Sequence, residues 1–229
     1  TRLSLTFEQA NLDYARGYAE VFAGAGDPET AAILERIYRD EIGHVSYGLE
    51  WFRRWKSEGS DWQRFVTGLQ LPLSAARAKG AFPFNEEGRR EAGFDEDFIR
   101  ELRVCAQSKG RTPNVFWFNP GAEESLVTPG SAPTRAAREM QRDLSLLPAY
   151  LARKEDVVIV PAVPPTAFLA ELLDAGIELP EIVAAERLPE IRERKLHELR
   201  PWARTPDAQP VIDSLGVECV PTSRELFSK

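Results

Sequence analysis

A chain of 229 residues, 43% of them apolar, is long enough for one large domain or two of ordinary size, each with a core. A net charge of −7 and a pI near 5.1 exclude nucleic acid as the main partner. The longest apolar run, Val157 to Val163, contains Pro161 and is far too short to span a bilayer, so no membrane partner is expected; with no signal peptide, and with Cys105 and Cys219 far apart and outside any metal-spaced motif, the chain reads as cytoplasmic.

The first predicted element is an amphipathic helix over Leu3 to Ala23, in which Leu5, Glu8, Leu12, Ala15, Ala19 and Phe22 recur at three- and four-residue steps. Glu8 lies inside that apolar stripe. It either reaches for water at the stripe's edge or is buried and paired. Gly24-Ala25-Gly26 breaks the helix, Asp27 suits an N-cap, and Pro28 suits a first turn. A long second helix is expected from Pro28 to Lys56, about 43 Å at about 1.5 Å per residue, packed antiparallel to the first. Shorter helices follow: one capped by Ser60 and running from Trp62 to Thr67, one capped by Asn85 and ending at Glu91, and one over Phe94 to Ser108.

Lys109 to Pro113 marks the expected domain boundary. Beyond it come a strand over Asn114 to Phe118, a loop over Glu123 to Ala132, a helix over Thr134 to Lys154, a strand over Asp156 to Val160, a helix over Thr166 to Ala175 and a strand over Glu181 to Ala184. That alternation predicts a parallel sheet with right-handed crossovers. A helix over Pro206 to Leu215 and a strand over Val217 to Val220 complete the tail. The fold class is therefore α+β overall, with an all-α partial bundle at 1–110 and a small Rossmann-like α/β domain at 113–229.

The chemistry centres on Glu41-Ile42-Gly43-His44, the only Glu-x-x-His in the sequence. Residues three apart on a helix share a face, so Glu41 and His44 aim at one point. Leu34, Ile37, Val45, Gly48 and Trp51 are expected on roughly that face, which would put a carboxylate among apolar groups, where it is costly unless paired. A bound cation would remove the cost. In an antiparallel hairpin Glu8 comes level with this pair, which makes Glu8, Glu41 and His44 one candidate metal cluster. Di-iron and di-manganese carboxylate bundles take one Glu from each of two helices and a Glu-x-x-His from each of the other two; this chain offers half of that set. Asp40 projects away from the cluster. His197, in the charged stretch Arg194 to Glu198, is expected on the surface. The carboxyl ends of the strands, at Asn119-Pro120-Gly121, are a further place for a ligand. The sequence has neither a Gly-x-Gly-x-x-Gly after its first strand nor a P-loop, which disfavours ordinary dinucleotide or P-loop binding.

The runs Leu5-Thr6-Phe7-Glu8-Gln9-Ala10-Asn11-Leu12-Asp13, Gly26-Asp27, Ile37 to Val45 and Trp51-Phe52, extended by Phe84-Asn85 and Arg89-x-x-Ala92-Gly93, resemble the ferritin-like family called domain of unknown function 455. The resemblance covers about residues 1–110. It implies a bundle that begins with two further helices, one bearing a Glu and one a Glu-x-x-His, with this chain opening at the third. It implies a di-metal centre of iron or manganese to which Glu8, Glu41 and His44 contribute, and little activity in this chain alone; if that centre is catalytic, O₂-dependent oxidation of a substrate, as in an oxidase or oxygenase, is the expected chemistry. The missing upstream helices of the same protein would then be its partner. More loosely, Val115 to Pro120 and Leu199-Arg200-Pro201-Trp202 resemble the α/β domain that precedes an ATP-grasp domain. That likeness implies the N-terminal module of a ligase, with ATP bound by a domain after Lys229 and the bundle serving as scaffold or vestigial metal site.

Overall fold

The computed structural model describes residues 2–55, 58–70, 73–107, 112–120, 134–205 and 208–219. The chain divides into two compact units, Thr1–Cys105 and Ala106–Lys229. The first is helical and the second is built on a parallel sheet, so the fold is mixed α and β as expected.

In the first unit, α1 (Arg2–Gly24) and α2 (Pro28–Arg54) form a hairpin. Gly26 takes φ +81° in the turn, a conformation that suits glycine. Asp27 caps α2 by accepting a bond from Thr30 N at 3.0 Å. That bond holds the Asp27 carboxyl below its ordinary range. The short helices follow the caps read from the sequence. Ser60 and Gln63 form a reciprocal capping box at the start of α3 (Asp61–Thr67), and Asn85 caps α4 (Glu86–Glu91). The last helix, α5 (Glu96–Val104), is shorter than the expected Phe94–Ser108, because Asp95 caps it through Phe98 N at 2.7 Å; Ser108 lies outside the described residues. Leu5, Leu12, Val45, Leu49, Phe65, Phe98 and Leu102 anchor the core.

One polar knot joins α1 to the short elements. Arg89 is fully buried and grips Asp13 with both nitrogens, at 2.7 and 3.0 Å. Its guanidinium also donates to the carbonyls of Gln9, Ala78 and Asn85, and its face lies 4.0 Å from the centre of the Phe84 ring. Asp13 accepts in addition from the backbone N–H groups of Gly80 and Asn85, both at 2.8 Å. At Gly80 a Cβ would sit 2.8 Å from Asp13 Cβ, so glycine is what lets that loop reach the carboxylate.

Among the described residues the second unit carries five parallel strands in the order β3-β2-β1-β4-β5. They are β1 (Val115–Trp117), β2 (Val157–Val160), β3 (Glu181–Ala184), β4 (Glu198–Pro201) and β5 (Glu218–Cys219). Its described α-helices are α6 (Arg135–Asp143), α7 (Thr166–Asp174), α8 (Leu188–Arg192) and α9 (Ala208–Leu215). Val157 and Ile159 pack on one face of the sheet with Val115, Val183 and Leu199, while Val158 and Val160 pack on the other with Phe116 and Ala149. Both faces are covered, which is why β2 reads as an unbroken apolar run. Half-buried Glu181, at the start of β3, is held bidentately by Arg194 at 2.7 and 2.9 Å.

Three expectations change here. The helix expected over Thr134–Lys154 ends at Asp143 and resumes as a 3-10 turn over Leu147–Tyr150; Pro148 has no N–H to continue an α-helix. The charged stretch near His197 leads into a strand, β4, which pairs with β1 in the middle of the sheet. Only Leu199 of β4 is buried, so the strand lacks an apolar run that would announce it. The tail strand is Glu218–Cys219; Val220 and the loop expected over Glu123–Ala132 lie outside the described residues.

Two outcomes test these contacts. Arg89→Ala leaves the Asp13 carboxylate buried without its counter-ion and is expected to cost about 3–5 kcal/mol in urea unfolding; a loss below about 1 kcal/mol would show that the knot is not central. Asn119 is buried just beyond β1 and bonds the residues that follow β4, through Ala203 O at 2.8 Å, Thr205 Oγ1 at 2.9 Å and Ala203 N at 3.1 Å. Asn119→Leu is expected to cost about 1–3 kcal/mol and to speed hydrogen exchange at the Ala203 amide. Unchanged exchange would mean that the amide is not what fastens the two strand ends.

Candidate metal centre

The buried face of α2 runs through Ala31, Tyr38, Val45 and Phe52, spaced by seven, with Gly48 and Leu49 beside them. That seam lies part of a turn round from the expected one. Ile37, expected inside, is 42% exposed. The reason is tertiary: the Tyr38 hydroxyl accepts a bond from Asn85 Nδ2 at 3.1 Å, which turns the helix toward the short elements. Burial pushes the Tyr38 hydroxyl pKa up, with the Asn85 bond opposing.

Glu41 therefore sits at the edge of the seam rather than in its middle, its side chain 15% exposed, and His44 lies one turn on with 63% exposed. Gly48 lies against Ser4 and Leu5, and Asn11 meets Glu41. These contacts fix an antiparallel register in which Glu8 comes level with His44.

Each oxygen of Glu41 has a different fate. Oε1 accepts a bond from Asn11 Nδ2 at 3.1 Å. Oε2 is buried and has no hydrogen-bond partner, and it stands 3.5 Å from His44 Nδ1. Two donors each about 2.1 Å from one ion, at angles between octahedral and tetrahedral, stand about 3.0–3.4 Å apart. The Glu41–His44 pair, at 3.5 Å, stands just wider than one edge of such a polyhedron and would have to draw in slightly to hold one ion.

Glu8 is not drawn into the pair. Its Oε2 accepts from Ser4 Oγ at 2.5 Å, one turn back on the same helix. Among the described residues no group of three His, Cys, Asp or Glu side chains is placed to hold a metal ion. Of the three candidate ligands, the fold brings Glu41 and His44 together and sets Glu8 at their level on the neighbouring helix with its carboxylate turned aside. Asp40 is exposed, and so is His197, whose backbone N–H donates to Pro113 O.

Sequence reading missed Asn11 and Ser4. A signal existed for both, since each lies on the Glu8 face of α1, at three- and four-residue steps from it. On the two helices that carry the candidate ligands, large apolar side chains face outward: Phe7, Tyr18, Val21 and Phe22 on α1, and Ile33, Ile37 and Tyr47 on α2, each more than a third exposed.

In the second unit the strand order reverses direction at β1 and β4, and their carboxyl ends lead to Asn119 and Trp202. Trp202 is half exposed and meets Phe118 edge-on at 5.2 Å. The Asn119 amide is already committed to Ala203 and Thr205. Gly121, also expected at this end, lies outside the described residues.

Among the described residues no helix is long and apolar enough to cross a membrane. No curated protein and no solved structure matches the chain. Residues 2–100, nearly the whole of the helical unit, match the family described as protein of unknown function, DUF455.

Proposed function

We propose that the α1–α2 hairpin carries half of a carboxylate-and-imidazole metal centre of the ferritin-like, di-metal kind, taking iron or manganese through Glu41, His44 and Glu8. The observation that carries this reading is the buried Glu41 Oε2, left without a hydrogen bond and facing an imidazole nitrogen. A buried carboxylate oxygen with no partner is costly, and a divalent cation is the group that would satisfy it. Carboxylate with imidazole suits iron or manganese.

In this reading Glu41 and His44 hold the ion on α2, and Glu8 swings from Ser4 to join them. Two further helices of the same protein, with a Glu and a Glu-x-x-His, cover the outward apolar side chains and complete the ligand set. The metal would supply O₂ activation for oxidation of a substrate. The hairpin's own residues hold it and, once covered, exclude water from it. The chain by itself leaves the site open and is expected to bind metal weakly and to be inactive. The acidic charge and the lack of a spanning helix among the described residues fit a cytoplasmic enzyme with neither nucleic acid nor membrane as partner.

A second reading makes the parallel sheet the N-terminal module of an ATP-grasp ligase, with ATP bound by a downstream domain and the bundle as scaffold. Its support is the all-parallel sheet with a switch point between β1 and β4, where such sheets place ligands.

Metal analysis of the full-length protein, purified from cells supplied with iron or manganese, separates the two. The first reading expects bound metal, lost about tenfold in Glu41→Gln and His44→Ala and less in Glu8→Gln, because Glu8 is already served by Ser4. Full occupancy in Glu41→Gln would end it. The second expects no stoichiometric metal, and ATP binding that survives all three substitutions.

A further inference from the structure

We infer that Asn11 is the positioning residue of this centre: its amide, reaching from α1, holds Glu41 Oε1 and so presents Oε2 to the ion that His44 Nδ1 also faces. The inference rests on the metal reading above.

The chain's other shielded acids have both carboxylate oxygens or their charge provided for: Asp156, 1% exposed, accepts backbone N–H groups on both oxygens, from Asn114 at 3.0 Å and from Arg153 at 2.9 Å, and the rest take a guanidinium. Asp13 is neutralised by Arg89, Asp61 by Arg64 and Arg53, and Glu181 by Arg194. In each pair a guanidinium supplies positive charge and occupies the carboxylate. Glu41 is handled differently. Its hydrogen-bond donor is a neutral amide, which takes one oxygen and cancels no charge. The negative charge and the second oxygen are left for a cation. A guanidinium in place of the amide would fill the site itself. No amide at all would leave a carboxylate free to rotate about its own side-chain torsions, with Oε2 no longer fixed 3.5 Å from His44 Nδ1. Asn11 thus does for Glu41 what outer partners do for ligating side chains in general, setting orientation without touching the metal. It also makes the site a property of the hairpin, because donor and ligand sit on different helices and meet only when α1 and α2 are packed in register.

The test uses Mn²⁺ alone as the probe and the two histidines of the chain as reporters. Paramagnetic broadening of the His44 ring signals is followed by NMR during Mn²⁺ titration of the full chain, with His197 as the internal control. Wild type is expected to show His44 broadened well before His197, and Glu41→Gln to abolish that preference. Asn11→Leu and Asn11→Ala, each checked for an unchanged helical spectrum, are expected to need about tenfold more Mn²⁺ for the same broadening. A merely structural role for Asn11 would lower the unfolding temperature without moving this signature. If Glu41→Gln abolishes the preference while both Asn11 variants behave as wild type, the role of Asn11 is refuted and the metal reading stands. If wild type shows no preference for His44, or Glu41→Gln keeps it, the metal reading fails and the role of Asn11 falls with it.

Discussion

The helical unit depends on the fully buried ion pair between Asp13 and Arg89. Neither charge could sit there alone, and the geometry leaves little unsatisfied: the carboxylate takes four hydrogen bonds, two of them from backbone N–H groups, while the guanidinium binds three carbonyls besides. Because those partners come from α1, the 3-10 turn at Ala75–Ala78, the loop at Gly80 and the start of α4, one pair fixes four pieces of chain that have little apolar surface of their own. Breaking such a pair is far more costly than the pair is stabilising, since the remaining charge stays buried. Its effect is to specify one arrangement of the short helices, and through Asn85 and Tyr38 that arrangement sets the rotation of α2.

The rotation of α2 is what gives Glu41 its unusual surroundings. A small turn inward would put the carboxylate in the apolar seam, where an unpaired charge is costly. A small turn outward would leave it to water, with no reason to gather ligands. At the edge, one oxygen is shielded and the other is held by an amide from the facing helix. His44 is mostly exposed, and Glu8 accepts a bond from Ser4 on its own helix, so neither is held by the facing helix as Glu41 is. Such a half-open arrangement suits a site that is finished by groups from outside the hairpin. The outward apolar side chains on the same two helices are the surface those groups would cover.

The sheet solves a different problem. Its central strand β1 is three residues long and has partners on both sides, so the ends of β1 and β4 have few ladder bonds to hold them. The Asn119 side chain takes over beyond the last backbone bond, which runs from Trp202 N to Trp117 O. In a buried place an amide offering both a donor and an acceptor can satisfy an N–H and a C=O at once, as Asn119 does for Ala203.

Much of this was written locally. The long hairpin, the caps at Asp27, Ser60 and Asn85, and the three strands with apolar runs follow from periodicity and from side chains that bond their own neighbours, so the sequence by itself determined them. So did the pairing of Glu41 with His44, because three residues of helix always bring them to one face. What lay beyond the sequence depends on contacts between distant residues. Asp13 and Arg89 are 76 positions apart, and each alone looks like a surface charge. Strand β4 has one buried residue and is a strand because β1 needs a neighbour. Ile37 and His44 face outward because a tyrosine hydroxyl found an asparagine 47 residues away. The level at which Glu8 meets α2 was likewise a matter of the hairpin's register, whereas the bond its carboxylate accepts from Ser4 is a local one, a single turn back on its own helix.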